Sequence, residues 1–356
     1  METIESINWL KENNLFESSK EAAAILKKIF TPCLAVQDER VLIMGDRGSK
    51  NKKIASILAG AYYLAADELK LDTKLVLQGL KSRGDQAEDD VTNSLFQLKE
   101  GDVVVVCMSD KLGSIGDLGK SFRKFCEKKK FKFVSALSLG DLETTKLNHV
   151  INAINIDYKP MQLQHEKIKQ ILDRGKEVYI TTKAGTNLYY NIDGMTATSA
   201  DGNYTTPGKG GNLPAGEVYI PCNGKNVNGK VIVDGSSRNH KHTAIIKEPI
   251  TLEIEEGKVV EISGGEEAKL LERTLDWAAS RAKNPGSVRR VGEFGIGLNP
   301  KAQIIGATIV DEKTLGTAHI GIGSNYWFGG GIYAIIHLDQ IFKNPVIKID
   351  GEELKP

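Results

Sequence analysis

Cysteine is scarce in this chain: four in 356 residues, Cys33, Cys107, Cys126 and Cys222, with no CxxC pair among them. That spacing excludes a disulfide-stapled scaffold and a thiolate zinc site, and it suits a reduced, cytoplasmic protein. An excess of either charge is also missing. Lys plus Arg number 47 against 46 Asp plus Glu, so no strongly basic surface points to a nucleic-acid partner. Long apolar runs are absent: VVVVCM (103–108) is of strand length and far short of a membrane span. The start, METIESINWLKENN, carries early acids and lacks the apolar stretch of a signal peptide. A phosphate-cradling loop is missing as well. MGDRGSKNKK (44–53) fits neither GxGxxG nor GxxxxGK followed by Ser or Thr, so the first half reads as scaffold rather than as a nucleotide site.

What is present falls into two rhythms, and the length favours two domains. In the first half, apolar strands at 40–46, 73–80, 102–109 and 132–139 alternate with helical spacing at 52–69, 87–99 and 117–130, behind an amphipathic helix at 17–30. Short buried strands alternating with helices predict a doubly wound parallel sheet, assigned to a domain of residues 1–165. A connecting helix is expected over 160–176. Beyond it, most of the chain's 36 glycines separate strand candidates, among them EVYITT, NLYYNI, GEVYIP, KVIVDGS and AQIIGATIV, with one helix at 266–283. This pattern predicts a glycine-rich, mainly antiparallel β domain over 166–356.

Four strands in that second half share a device. Successive side chains of a strand point to opposite faces. In AIIHLDQIF (334–342), His337 and Asp339 therefore share one face, and Ile336 and Leu338 the other. AHIGIG (318–323) sets His319, Gly321 and Gly323 against Ile320 and Ile322. GEFGIGLNP (292–300) sets Glu293, Gly295 and Gly297 against Phe294, Ile296 and Leu298, and GEVYIP (216–221) sets Glu217 and Tyr219 against Val218 and Ile220. Each strand offers an apolar face to a core and a ligand-type side chain to the opposite side. The glycines beside those side chains are expected to leave empty space for a ligand. Three carboxylates converging without a cation would repel one another, whereas a pair of divalent ions removes the difficulty. Mixed imidazole and carboxylate donors suit Zn²⁺, Mn²⁺, Co²⁺ or Fe²⁺.

The segments NLPAGEVYIP, GEFGIGLNP, LGTAHIGIG and IIHLD, in this order and joined by TTKAGTNLYYNI (181–192), resemble the aminopeptidase T family of metallo-aminopeptidases, which includes the aminopeptidase S and PepS proteins. The likeness is close over most of 175–350 and confined to the α/β rhythm before that. It implies two divalent ions (Zn, Co or Mn) held by Glu217, Glu293, His319, His337 and Asp339, with Tyr326 as the catalytic tyrosine over the oxyanion. Glu217 or Glu293 could serve as general base. Peptides with a free N-terminus, a leucine-type preference and a homodimer are implied as well. Two departures stand out: the chain is short for that family, and the interval from His319 to His337 is compressed.

Other readings compete. His240 and His242 have ligand-pair spacing, but their setting reads as an exposed turn; Glu312, in VDEKTLG, is an outside candidate for the general base and reads rather as a solvated turn residue. Two histidines and a carboxylate also form the facial triad of mononuclear iron oxygenases. The ring-cleaving dihydroxypyridine dioxygenases resemble the same fold more distantly, with a histidine where this chain has Glu293. That difference leads the sequence to favour the hydrolase over the oxygenase.

Overall fold

The computed structural model describes residues 2–82, 84–116, 122–222 and 224–355. Two compact units emerge: Met1–Tyr158 with Gly202–Ala215, and Lys159–Asp201 with Gly216–Pro356.

The first unit is a parallel sheet whose strands run Thr73–Gln78, Val41–Asp46, Val103–Cys107 and Lys132–Ala136, with the short strand Gly210–Asn212 beside the last. The middle strands are buried along their whole length, as continuous apolar runs in a parallel sheet must be. Helix Ile54–Glu68, rich in alanine and leucine, buries almost its whole surface. Gly45 lets it lie close, since a Cβ there would sit 2.5 Å from that of Ala59. The helix expected over 117–130 is present as Phe122–Lys129, and residues 117–121 lie outside the described residues.

The second unit opens within helix Tyr158–Arg174 and continues into two antiparallel sheets of seven strands each. One sheet runs from Lys258–Ser263 through Ile250–Glu255, Val227–Val233, Asn187–Asn191, Glu177–Thr181 and Val346–Ile349 to Glu352–Glu353. The other runs Thr243–Ile245, Ser236–Arg238, His337–Lys343, Thr317–Gly323, Val291–Gly297, Glu217–Pro221 and Thr198–Ala200. One core joins the sheets. Val178, Tyr190, Val231 and Leu252 meet Val218, Ile220, Phe294, Ile296, Ile320, Ile322 and Leu338, and Leu271 and Leu275 of helix Glu266–Ala279 complete it. Each such side chain contributes about 1.5–3 kcal/mol of apolar burial, which fixes the strand parity. AQIIGATIV (302–310) is not a strand. Gly306 takes a left-handed φ of +87°, the Asp311 carboxylate accepts the N–H groups of Ile305 and Gly306, and the segment folds into the short helix Thr308–Asp311.

Candidate metal centre

With the apolar parity spent on the shared core, the opposite face of the second sheet carries the polar parity of four adjacent strands. Register aligns them. Glu293 lies opposite Gly321, and Gly321 opposite Asp339, in one row across three strands. In neighbouring rows Gly295 faces His319, Gly297 faces Glu217, and Gly323 faces His337. Each of these large side chains therefore has a glycine beside it on the next strand.

The glycines do not hold space open for a ligand, as their spacing suggested; the imidazoles fill it. A Cβ on Gly295 would lie 2.2 Å from both Cε1 and Nε2 of His319. One on Gly321 would lie 2.7 Å from His337 Cε1 and 2.9 Å from Glu293 Cβ. Only a bare backbone lets a ring from the neighbouring strand lie flat across the sheet and reach the carboxylate beyond.

Glu293 is the hinge of the resulting cluster. Its Oε1 is 3.2 Å from His319 Nε2, and its Oε2 is 3.5 Å from His337 Nε2. His337 Nε2 is also 3.0 Å from Asp339 Oδ1, and His319 Nε2 is 3.6 Å from Glu217 Oε2. Two overlapping donor groups result, Glu293–His337–Asp339 and Glu217–Glu293–His319, each with its ligand atoms within 4.8 Å of one another. All five residues singled out as ligands are thus brought together.

The first group fits a divalent cation on two further counts. His337 Nδ1 is 2.8 Å from the Ser324 carbonyl, so it donates there and turns Nε2 toward the carboxylates, where a bound cation would take the place of its proton. Asp339 Oδ1 is buried and 3.0 Å from that Nε2, yet forms no well-aligned hydrogen bond among the described residues. The electrostatics record the same convergence. Burial pushes the Glu293 carboxyl above its usual range. Burial would also raise Asp339, but His337 outweighs it and holds that carboxyl well below the ordinary range. For the imidazoles, burial opposes protonation, and the adjoining carboxylates reverse it, lifting His319 to about 9 and His337 to about 10.

Lys313 escaped the sequence reading, which also makes Glu312 more exposed than it is. Lys313 is wholly buried, its ammonium ion-paired with both Glu217 and Glu312. Glu312 is therefore no solvated turn residue. Burial and the Glu217 carboxylate push it up to about 8, while Glu217 and Glu312 together hold Lys313 well above the usual lysine range against the opposing effect of burial. The loop presenting this pair is pinned by Asn299, whose Oδ1 accepts the N–H groups of Lys301 and Ala302, and by the Asp311 turn.

The cluster opens on the His337 side. That side chain is 18 % exposed, against 8 % or less for the other four. Trp327 and Phe328 stand edge-on to its ring at 5.0 and 6.1 Å, and Tyr219 meets Phe328 at 5.2 Å, which makes an aromatic wall. Tyr326 belongs to the same helical turn but points elsewhere. It is 45 % exposed and its ring lies 3.9 Å from that of Tyr333. His240 stacks on Trp277 with Nδ1 2.7 Å from Thr274 Oγ1, and neither it nor His242 belongs to the donor groups found among the described residues.

The family model for 2,5-dihydroxypyridine 5,6-dioxygenase (NicX) matches residues 156–355, more than half of the chain and every member of the cluster. A curated 2,5-dihydroxypyridine 5,6-dioxygenase from Pseudomonas putida (strain KT2440) is 25% identical over 191 residues, covering 51% of this chain and 53% of that protein. The chain thus spans about half the length of the curated relative it matches. Among solved structures, the 2,5-dihydroxypyridine dioxygenase of Pseudomonas putida KT2440 is similar with a TM-score of 0.67 at 18% identity over 97% of both chains. Wild-type AmpT from Thermus thermophilus is similar with a TM-score of 0.61 at 15% identity, again over 97% of both. At those identities the two structures share the fold: a parallel-sheet α/β unit followed by antiparallel sheets.

These matches overturn the hydrolase. The expected leucine-type metallo-aminopeptidase, with peptide substrates and an oxyanion role for Tyr326, gives way to a dioxygenase family, because both the family model and the curated relative are dioxygenases. The AmpT likeness carries the fold alone. The physical reason is that Glu, His and HxD on glycine-spaced strands specify a metal-binding face, and a metal-binding face is compatible with more than one reaction.

Proposed function

The chain belongs to the 2,5-dihydroxypyridine 5,6-dioxygenase family, and from that premise we propose that it opens a hydroxylated pyridine-type ring with dioxygen at a single iron(II) held by Glu293, His337 and Asp339. The observation that carries the reading is that the family match covers the strands bearing this donor group, while the second carboxylate group is already occupied by the Lys313 ammonium. One histidine and two carboxylates make a harder set than two histidines and one, and remain within the ligand chemistry of non-haem iron and manganese. When bound, the ion supplies the one-electron chemistry that dioxygen requires. Both oxygen atoms enter the ring-opened product, so no external reductant is needed.

The chain's own groups supply orientation and proton handling. The Ser324 carbonyl fixes the His337 tautomer. His319, held protonated between Glu293 and Glu217, is placed to hand a proton toward the centre. The Trp327–Phe328 wall offers an apolar, aromatic surface on the open side, suited to contact with a planar ring.

The test is aerobic incubation of the iron(II)-loaded protein with 2,5-dihydroxypyridine, following ring absorbance and dissolved oxygen together. Both should fall in equal molar amounts, neither should fall under argon, and His337→Ala should abolish the reaction through loss of metal. Loss of absorbance that proceeds equally under argon would refute the proposal.

A further inference from the structure

The two donor groups share Glu293 but differ in their cationic neighbours. Among the described residues only imidazoles lie within ion-pair distance of Glu293 and Asp339, whereas Glu217 of the Glu217–Glu293–His319 group is bonded to a buried ammonium. Lys313 has no solvent exposure and bonds Glu217 directly, so it occupies the flank on which Glu217 would otherwise turn to a metal. Its second partner, Glu312, holds it there from the far side. The lysine cannot swing away cheaply. Its backbone is fixed by hydrogen bonds on both sides, N–H to Val310 O at 3.1 Å and C=O from Asn299 N at 2.7 Å, and leaving would strand two buried carboxylates.

We infer that Lys313 acts as a built-in monovalent cation that keeps the Glu217–His319 half of the cluster free of metal and so restricts the centre to one divalent ion. A divalent ion at Glu217 would have to sit beside a buried like charge, in surroundings where water screens poorly. His319 is thereby left unligated, with its Nε2 shared between Glu217 and Glu293. Lys313 is a positioning residue: it sets how many ions the cluster takes.

The inference rests on the metal centre of the proposed function, but its test counts ions and needs no turnover. Failure of ring opening therefore leaves the count intact, and a wrong count leaves ring opening to be judged separately. The metal-free full-length protein is titrated with Zn²⁺ by calorimetry, with elemental analysis of the dialysed complex. The wild type should take one Zn²⁺ per chain, Lys313→Met two, and Lys313→Arg one again, because Arg restores the charge. A merely structural lysine would change stability in both variants without changing the count. If Lys313→Met is too unstable to purify, the Lys313→Met/Glu312→Gln protein removes one charge of each sign, keeps Glu217, and should also take two. Two equivalent ions in the wild type would overturn the inference, as would one ion in every folded variant that lacks the lysine charge.

Discussion

His165 shows how much this unit invests in keeping a polar group dry. It is fully buried in helix Tyr158–Arg174, with Nδ1 3.0 Å from Ser199 Oγ and Nε2 without a partner among the described residues. Burial, helped by the Lys313 charge, depresses its pKa from 6.5 to about 4. In the unfolded chain the imidazole titrates near the ordinary value, so between the two pKa values the unfolded state binds the extra proton. Stability from this group is therefore complete above about pH 6.5 and drains away as pH falls toward 4. Urea unfolding of the wild type and His165→Gln should show a stability difference that moves by about 2 kcal/mol against the wild type between pH 7 and pH 5. A difference that does not change with pH would contradict this. At the same scale, Glu217, Glu293, His319, His337 and Asp339 were legible in the sequence because strand parity alone puts them on one face. Lys313 and Glu312 were not, because VDEKTLG has the composition of a solvated turn, and their burial depends on how Asn299 and Asp311 fold the loop back over the sheet. In the turn Tyr326–Phe328 it is the two rings after Tyr326 that pack against His337, a direction that residue spacing does not reveal.

Strands set the geometry that single residues exploit. The glycines of Val291–Gly297 and Thr317–Gly323 leave the backbone bare where imidazoles from the adjoining strands cross. Gly295→Ala should push His319 off Glu293, and Gly321→Ala should push His337 off the same carboxylate. Because Gly321 serves the proposed iron ligands, Gly321→Ala should weaken metal binding at least tenfold, while Gly295→Ala should spare the metal and lower kcat. Both sites are packed, and overpacking of this kind typically costs 1–3 kcal/mol, so a modest fall in Tm should accompany each change. Equal metal affinity in the wild type and Gly321→Ala would remove the glycine from the account. Periodicity made most elements legible: the four parallel strands, the helix at 266–279 and the strands of the metal face follow from burial patterns that only one register satisfies. AQIIGATIV misled because its apolar residues pack from a loop and a short helix, whose burial needs no alternation.

At the scale of the whole molecule, no helix among the described residues is long and apolar enough to cross a membrane, and the fold is one that dioxygenase and aminopeptidase structures share. The sequence therefore indicated the metal-binding face, while the choice of reaction lay outside any single motif. Glutamate at 293, where a histidine was expected of a ring-cleaving enzyme, favoured hydrolysis on paper; the family match over 156–355 reversed that preference. The most direct test of the resulting account is isotopic. The iron(II)-loaded protein is given 2,5-dihydroxypyridine under ¹⁸O₂, and the ring-opened product is weighed by mass spectrometry. The account predicts two ¹⁸O atoms in each product molecule. A product whose new oxygen comes from water would contradict it.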